Sequence, residues 1–247
     1  MRAPGRRAYL QWVKQNGRVA IRHDASGIEL VWVPGGSFMM GSEGGVDADM
    51  KPAHQVELDG FWIGRTEVTI GQWRSVMGSV PGTSNDQGEN HPAVEVSWDD
   101  CQSFCRQAGP RLPTQAQWEY AAGGAEGRQY PWGNERDSAR CQPWDDRHGH
   151  ERTAPVGSFP AGASWCGALD MAGNVWDWCQ DWYQDRFYES AAAGRRNPEC
   201  TEAGSRWRVL RGGHWSGNDF CCRSATRFSS DPGTGLDFVG FRVAGAR

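Results

Sequence analysis

The stretch PAVEVSWDDCQSFCRQAGPRLPTQAQWEYAAGG, residues 92–124, carries two short helices marked at both ends. Ser97 with Asp100 forms a capping box that opens the first, and Gly109 stops it. Thr114 with Gln117 opens the second, and Gly123-Gly124 stops it. In each box a side-chain oxygen accepts an orphan N–H of the first turn, and a glycine ends the helix without a Cβ penalty. Upstream, Thr69 with Gln72 opens a third helix, TIGQWRSVM, which ends at Gly78. Helices this short, each closed by its own punctuation, predict a chain of few helices and many turns.

Working outward, IELVWVPGGSF (28–38) reads as a strand ending in a Gly-Gly turn. QVELDGFWIGRTEV (55–68) reads as two strands of a hairpin joined at Asp59-Gly60. Residues 125–168 are rich in Gly, Pro and Asp and read as loop, and 184–206 as an exposed polar insertion. WRVLRGG (207–213) and VGFRVA (239–244) read as strands flanking a loop of about 25 residues, a length that usually carries function. Trp62, Trp73, Trp98, Trp118, Trp132, Trp176 and Trp178 supply the large apolar area a loop-rich core needs.

With 247 residues the chain is long enough for one substantial core, and residues 26–247 are expected to form one domain. Residues 1–25, rich in Arg, read as a leader or an edge helix. Gly reaches 33 and Trp 14 while Lys is nearly absent, a balance that disfavours a helical bundle. A net charge of −4 gives no reason to expect nucleic acid as a partner. No run approaches the roughly 18 apolar residues of a membrane span, so membrane insertion is not expected. The basic start lacks an apolar signal core, so a cytoplasmic protein with cysteine thiols is expected, a reading compatible with later surface display. No CxxC is present, which argues against structural zinc.

Eight separated stretches resemble the formylglycine-generating-enzyme (sulfatase-modifying-factor) family, in that family's order. They are VPGGSFMMGS (33–42), DGFWIGRTEVT (59–69), PAVEVSWDDCQSFC (92–105), RLPTQAQWEYAA (111–122), YPWGN (130–134), LDMAGNVWDW (169–178), RVLRGG (208–213) and GFR (240–242). The resemblance covers roughly residues 30 to 244. It implies an α+β, C-type-lectin-like fold of the formylglycine-generating-enzyme type, loop-rich with few helices and short antiparallel strands.

The resemblance also implies metal sites. Family members bind calcium through an Asn/Asp, two carbonyls and a Glu/Asp, which carries over to Asp170, Gly173, Val175 and Asp177, hard oxygen donors suited to one structural Ca²⁺. The family's other calcium site would fall near Arg140 and His148, where an arginine cannot ligate. The family's enzymes oxidise a cysteine to formylglycine with copper held by two cysteines after the RGG-aromatic stretch. Here that stretch is GGHWSGNDFCCRSATR: Gly217 stands at the first cysteine's place, and Cys221 or Cys222 falls near the second. An iron-dependent branch carries HxxxHxE, a string absent here; His148-Gly149-His150-Glu151 is the one histidine cluster and reads as solvated loop. Neither copper nor iron is therefore expected.

Variable proteins of diversity-generating retroelements also resemble this domain, and in them the C-terminal segment forms the ligand-binding face. Mutagenesis at template adenines there cannot yield Lys, Gln, Glu, Met or Trp. Within a framework of Arg211, Gly212, Gly213, Trp215, Arg223, Ser224, Ala225, Arg227, Pro232, Gly240, Phe241 and Arg242, the intervening positions hold none of those five. The expected binding residues are His214, Trp215, Ser216, Asn218, Asp219, Phe220, Cys221, Thr226, Phe228, Ser230, Thr234, Leu236, Asp237 and Phe238, a mixture of aromatic anchors and small polar groups suited to a paratope. The expected partner is a protein or other ligand at this loop. Two readings stay open beside it: a metal-dependent oxidase or oxygenase acting on a cysteine or small thiol or amine, and a scaffold subunit.

Overall fold

Three capped helices organise the computed structural model, which describes residues 10–15, 18–23, 26–44, 48–82, 87–142 and 152–246. They are α1 (Ile70–Met77), α2 (Trp98–Ala108) and α3 (Gln115–Gly123), and all three capping boxes form. Gly78 and Gly109 end α1 and α2 in the left-handed region, at φ 75° and 100°. Each side-chain cap contributes about 1 kcal/mol.

Besides four single-turn 3₁₀ helices, the described residues form eleven strands: β1 (Leu10–Gln15), β2 (Arg18–His23), β3 (Ile28–Val33), β4 (Gly36–Met40), β5 (His54–Leu58), β6 (Phe61–Gly64), β7 (Trp176–Trp182), β8 (Arg208–Arg211), β9 (Arg227–Ser230), β10 (Val239–Gly240) and β11 (Ala244–Ala246). They form a five-stranded sheet β1-β2-β3-β6-β11, a four-stranded sheet β10-β7-β8-β9 and the pair β4-β5. Pairing is antiparallel except for β10 on β7.

Three expectations are corrected. The segment read as leader or edge helix contains the hairpin β1–β2, which extends the first sheet through β3; residues 1–9, 16–17 and 24–25 lie outside the described residues. Asp59-Gly60 does not join hairpin partners: β5 pairs with β4, and β6 pairs with β3. The two residues turn the chain from one sheet to another, and a Cβ on Gly60 would lie 2.5 Å from the Trp32 ring. The insertion read as polar sends Phe187, Tyr188, Ala193 and Cys200 into the main core.

The core has two large parts. One gathers Phe61, Trp118, Tyr120, Met171 and Tyr188 between α3 and the sheets. The other packs Trp73, Phe104 and Phe241 ring on ring, with centroids 5.2–6.0 Å apart, beside Trp178. Trp62, Trp98 and Trp132 are only half-buried. Among the described residues no helix is long and apolar enough to cross a membrane.

Candidate ligand-binding face

The C-terminal segment is laid over β7 and β8 by three buried arginines. Arg211 pairs with Glu119 and donates to the carbonyls of Ala225 at 2.9 Å and Thr226 at 2.8 Å. Arg227 sits over the rings of Tyr183 and Tyr188 and donates to Gln115 Oε1 at 3.0 Å and Asp49 O at 2.6 Å. Arg242 pairs with Asp177 at 2.5 Å and donates to the carbonyls of Gly64, Leu169 and Asp170. A guanidinium presents several donors in a fixed fork, so one side chain holds several loop carbonyls at once. Gly212 and Gly213 turn the chain after β8 at φ 103° and 80°; a Cβ on Gly213 would lie 2.9 Å from the Cys221 carbonyl.

On this frame a row of rings forms. His214 lies 4.6 Å from Phe238 and 6.2 Å from Trp176, and Phe228 stacks on Trp176 at 5.5 Å. Phe228 is 50% exposed although it is a large apolar side chain, while Trp176 beneath it is buried. Burial lowers the pKa of His214 and so favours the neutral imidazole, against the opposing pull of Asp237. Leu236 and Phe238 rest half-buried against the second core cluster, and Ser216, Asn218, Thr234 and Asp237 are exposed around the row.

Other expected residues go elsewhere. Thr226 is buried and ties the loop to itself by donating to Phe220 O at 2.8 Å, so it does not face a ligand. Phe220 turns away from the row into a cleft of about 440 Å³ shared with Phe38, Met39, Arg128 and Arg223. Asp219 pairs with Arg136. Trp215 is half-buried, its backbone N–H donating to Asn174 O at 2.8 Å. Cys221 is half-buried, and Ser230 lies on the edge strand β9.

Two contributors escaped the sequence reading. Trp176, assigned to the core, is the floor of the ring row. Trp207, 42% exposed, joins Phe228, Tyr183 and Asp49 around a neighbouring cavity of about 660 Å³. Their residue types gave no signal, since both aromatics belong to strand-like strings.

Gly217 lies against the His214 ring, where a Cβ would approach to 2.9 Å. Cys222 is buried in a small cluster with Cys141 and Ala172 instead of facing the row. His148 and His150 lie outside the described residues. Arg140 is held by Asp137 at 2.7 Å.

Around Asp170 and Asp177 the structure gathers buried acidic side chains. Glu67, Asp170 and Asp177 are three buried carboxyls facing one guanidinium, Arg242, and burial is the largest influence raising the pKa of each. Asp177 Oδ2 accepts from Arg242 and Trp118, and Asp170 Oδ2 from Gly157 N–H at 2.6 Å. Asp177 Oδ1 and Glu67 Oε2 are buried without a hydrogen-bond partner. Among the described residues no three His, Cys, Asp or Glu side chains converge as a metal group, so carbonyls would have to complete the shell.

The Sulfatase-modifying factor enzyme 1-like domain matches residues 16–247. The chain is 34% identical to the formylglycine-generating enzyme of Streptomyces coelicolor, over 87% of this chain and 88% of that protein. It is 35% identical to the serine/threonine-protein kinase Pkn1 of Chlamydia trachomatis, over 87% of this chain but 38% of that protein. Among solved structures it is similar to PvdO from Pseudomonas aeruginosa (28% identity, TM-score 0.79, 90% of this chain and 95% of that one). Treponema denticola variable protein 1, at 24% identity and TM-score 0.75 over 90% and 97%, shares the fold. The α+β, C-type-lectin-like fold is common to enzymes and variable proteins alike.

Proposed function

The chain belongs to the sulfatase-modifying factor enzyme 1-like domain family, and within it we propose a non-catalytic ligand-binding member whose face is the segment 208–244. The observation that carries this reading is the row His214–Phe238–Trp176–Phe228, with a large aromatic ring held half in solvent on a rigid floor. Rigid aromatics flanked by small polar residues give contact area at low entropic cost. In this reading residues 26–247 act as one domain, and a protein ligand docks across Phe228, Phe238, Leu236, Asp237, Thr234 and Ser216. The absence of Lys, Gln, Glu, Met and Trp between the framework residues supports a variable protein of a diversity-generating retroelement. One structural Ca²⁺ at Asp170, Gly173, Val175 and Asp177 would neutralise the buried acids behind the face.

The identity to a formylglycine-generating enzyme favours a second reading, a metal-dependent oxidase acting on a cysteine or small thiol or amine. Two measurements separate them. Adjoining DNA should carry a reverse transcriptase and an imperfect repeat of codons 208–244 differing at adenines; its absence removes the variable-protein reading. Purified protein should contain no stoichiometric copper or iron; such a metal, lost when Cys221 or Cys222 is replaced, would establish the oxidase reading instead.

A further inference from the structure

Among the described cysteines, most thiols meet oxygen or the core. Cys166 contacts Ser164 Oγ at 3.3 Å, and Cys179 and Cys200 face backbone carbonyls. Cys141 and Cys222 differ, because they are free, buried thiols that share one small cluster. The two pack with Ala172 in a small apolar cluster, flanked by Trp132, and are 6% and 1% exposed. The segments that carry them are joined at two further points. Ser224 N–H donates to Gln129 O at 2.8 Å, and Arg136 pairs with Asp219. Thiols already in contact across a docked seam need little motion to reach the roughly 2.05 Å of a sulfur–sulfur bond.

We propose that Cys141 and Cys222 are a disulfide site that staples the loop carrying His214 to the segment around Arg140 and Gln142. The oxidant is a low-molecular-weight disulfide such as oxidised glutathione. One cysteine thiolate displaces a glutathione thiolate and forms a mixed disulfide. The second thiolate attacks the protein sulfur of that bond and releases the other glutathione. Two protons leave the cysteines and two electrons pass to the glutathione pair. The neighbouring Cys141 thiol and burial push Cys222 well above the ordinary thiol range, so the closed seam reacts slowly. The bond forms while the seam is open and is then shielded from reductants. Half-exposed Cys221 is the competitor, but a bond between adjacent residues is strained.

The test uses the full chain, reduced and then incubated with oxidised glutathione, with and without Cys221→Ser. The expected product is lighter by about 2 Da, the two hydrogens lost. Its digest contains a peptide joining Cys141 to Cys222. Its melting temperature lies roughly 5–15 °C above the reduced form, as expected for a bond closing a loop of about 80 residues. Cys221→Ser retains the link, whereas Cys141→Ser and Cys222→Ser lose it. A Cys221–Cys222 link overturns the proposal, as does a Cys221→Ser protein in which Cys141 and Cys222 both still alkylate after oxidation and denaturation. The peptide map decides this on the unmutated chain even where a variant folds poorly, and its outcome is independent of whether the face binds a ligand.

Discussion

Arg211→Met removes a guanidinium while keeping a long apolar stem. In the intact protein that group is wholly buried, paired with Glu119, bonded to the Ala225 and Thr226 carbonyls, and 5.5 Å from the Trp118 ring. Without it, Glu119 is left with the Gly41 N–H at 2.7 Å. Removing one partner of a buried ion pair costs about 3–5 kcal/mol, because the other charge stays buried. Two stranded carbonyls add roughly 1 kcal/mol each. Relaxation brings the expected loss to about 4–6 kcal/mol, much of the 5–15 kcal/mol typical of a whole protein. Urea denaturation followed by circular dichroism should show a midpoint lower by about 2 M at an m-value of about 2–3 kcal/mol/M. Glu119→Gln in the same background should restore about 2 kcal/mol, since it removes the stranded charge. Arg211→Lys keeps the charge but loses the fork and should cost about 2 kcal/mol. Because Arg211 holds the two carbonyls that lead into β9, hydrogen exchange at 225–230 should accelerate in the lysine variant. A methionine variant within about 1 kcal/mol of the parent, with unchanged m-value, refutes the reasoning: the pair would then contribute nothing beyond an apolar side chain of equal size.

Asp181 is wholly buried, and burial pushes its pKa up to about 6 although it accepts from Gln115 N–H, Gln115 Nε2 and Cys200 N–H. The native state therefore holds a proton the unfolded chain has released. The resulting stabilisation, about 3 kcal/mol, is complete below the ordinary carboxylate pKa and is lost as pH rises through about 6. Between pH 5 and 7.5 the parent should lose roughly 1.4 kcal/mol more than Asp181→Asn by urea titration, and equal slopes would contradict this. For calcium, 1 mM free ion against a chelator should raise the melting temperature by roughly 5–10 °C if the site binds near 10 μM. Asp170→Asn should remove that increase. Identical melting with and without calcium would refute a calcium site at Asp170 and Asp177.

The sequence by itself determined the local structure. Ser97, Thr114 and Thr69 fixed the helix starts and Gly78 and Gly109 two of the ends, because a capping box is satisfied within four residues and a left-handed stop needs only a glycine. The ordered motifs fixed the family and its fold, and VLRGG with GFR located the segment that forms the candidate face. Tertiary structure decided everything that depends on who stands opposite. Asp59-Gly60 has the composition of a hairpin turn, yet β5 and β6 pair with different strands, and no local signal encodes a partner that distant. Phe187 and Tyr188 read as surface, yet both enter the main core, where Gln115 and Arg227 meet the Tyr188 side chain. Within the candidate face, Thr226 and Phe228 are two residues apart and chemically free to point either way. Arg211 binding the Thr226 carbonyl and Trp176 lying under the Phe228 ring bury one and present the other. Burial is a property of the assembled neighbours, so a segment's contact-making residues become legible only once the fold has placed the rings and charges beneath them.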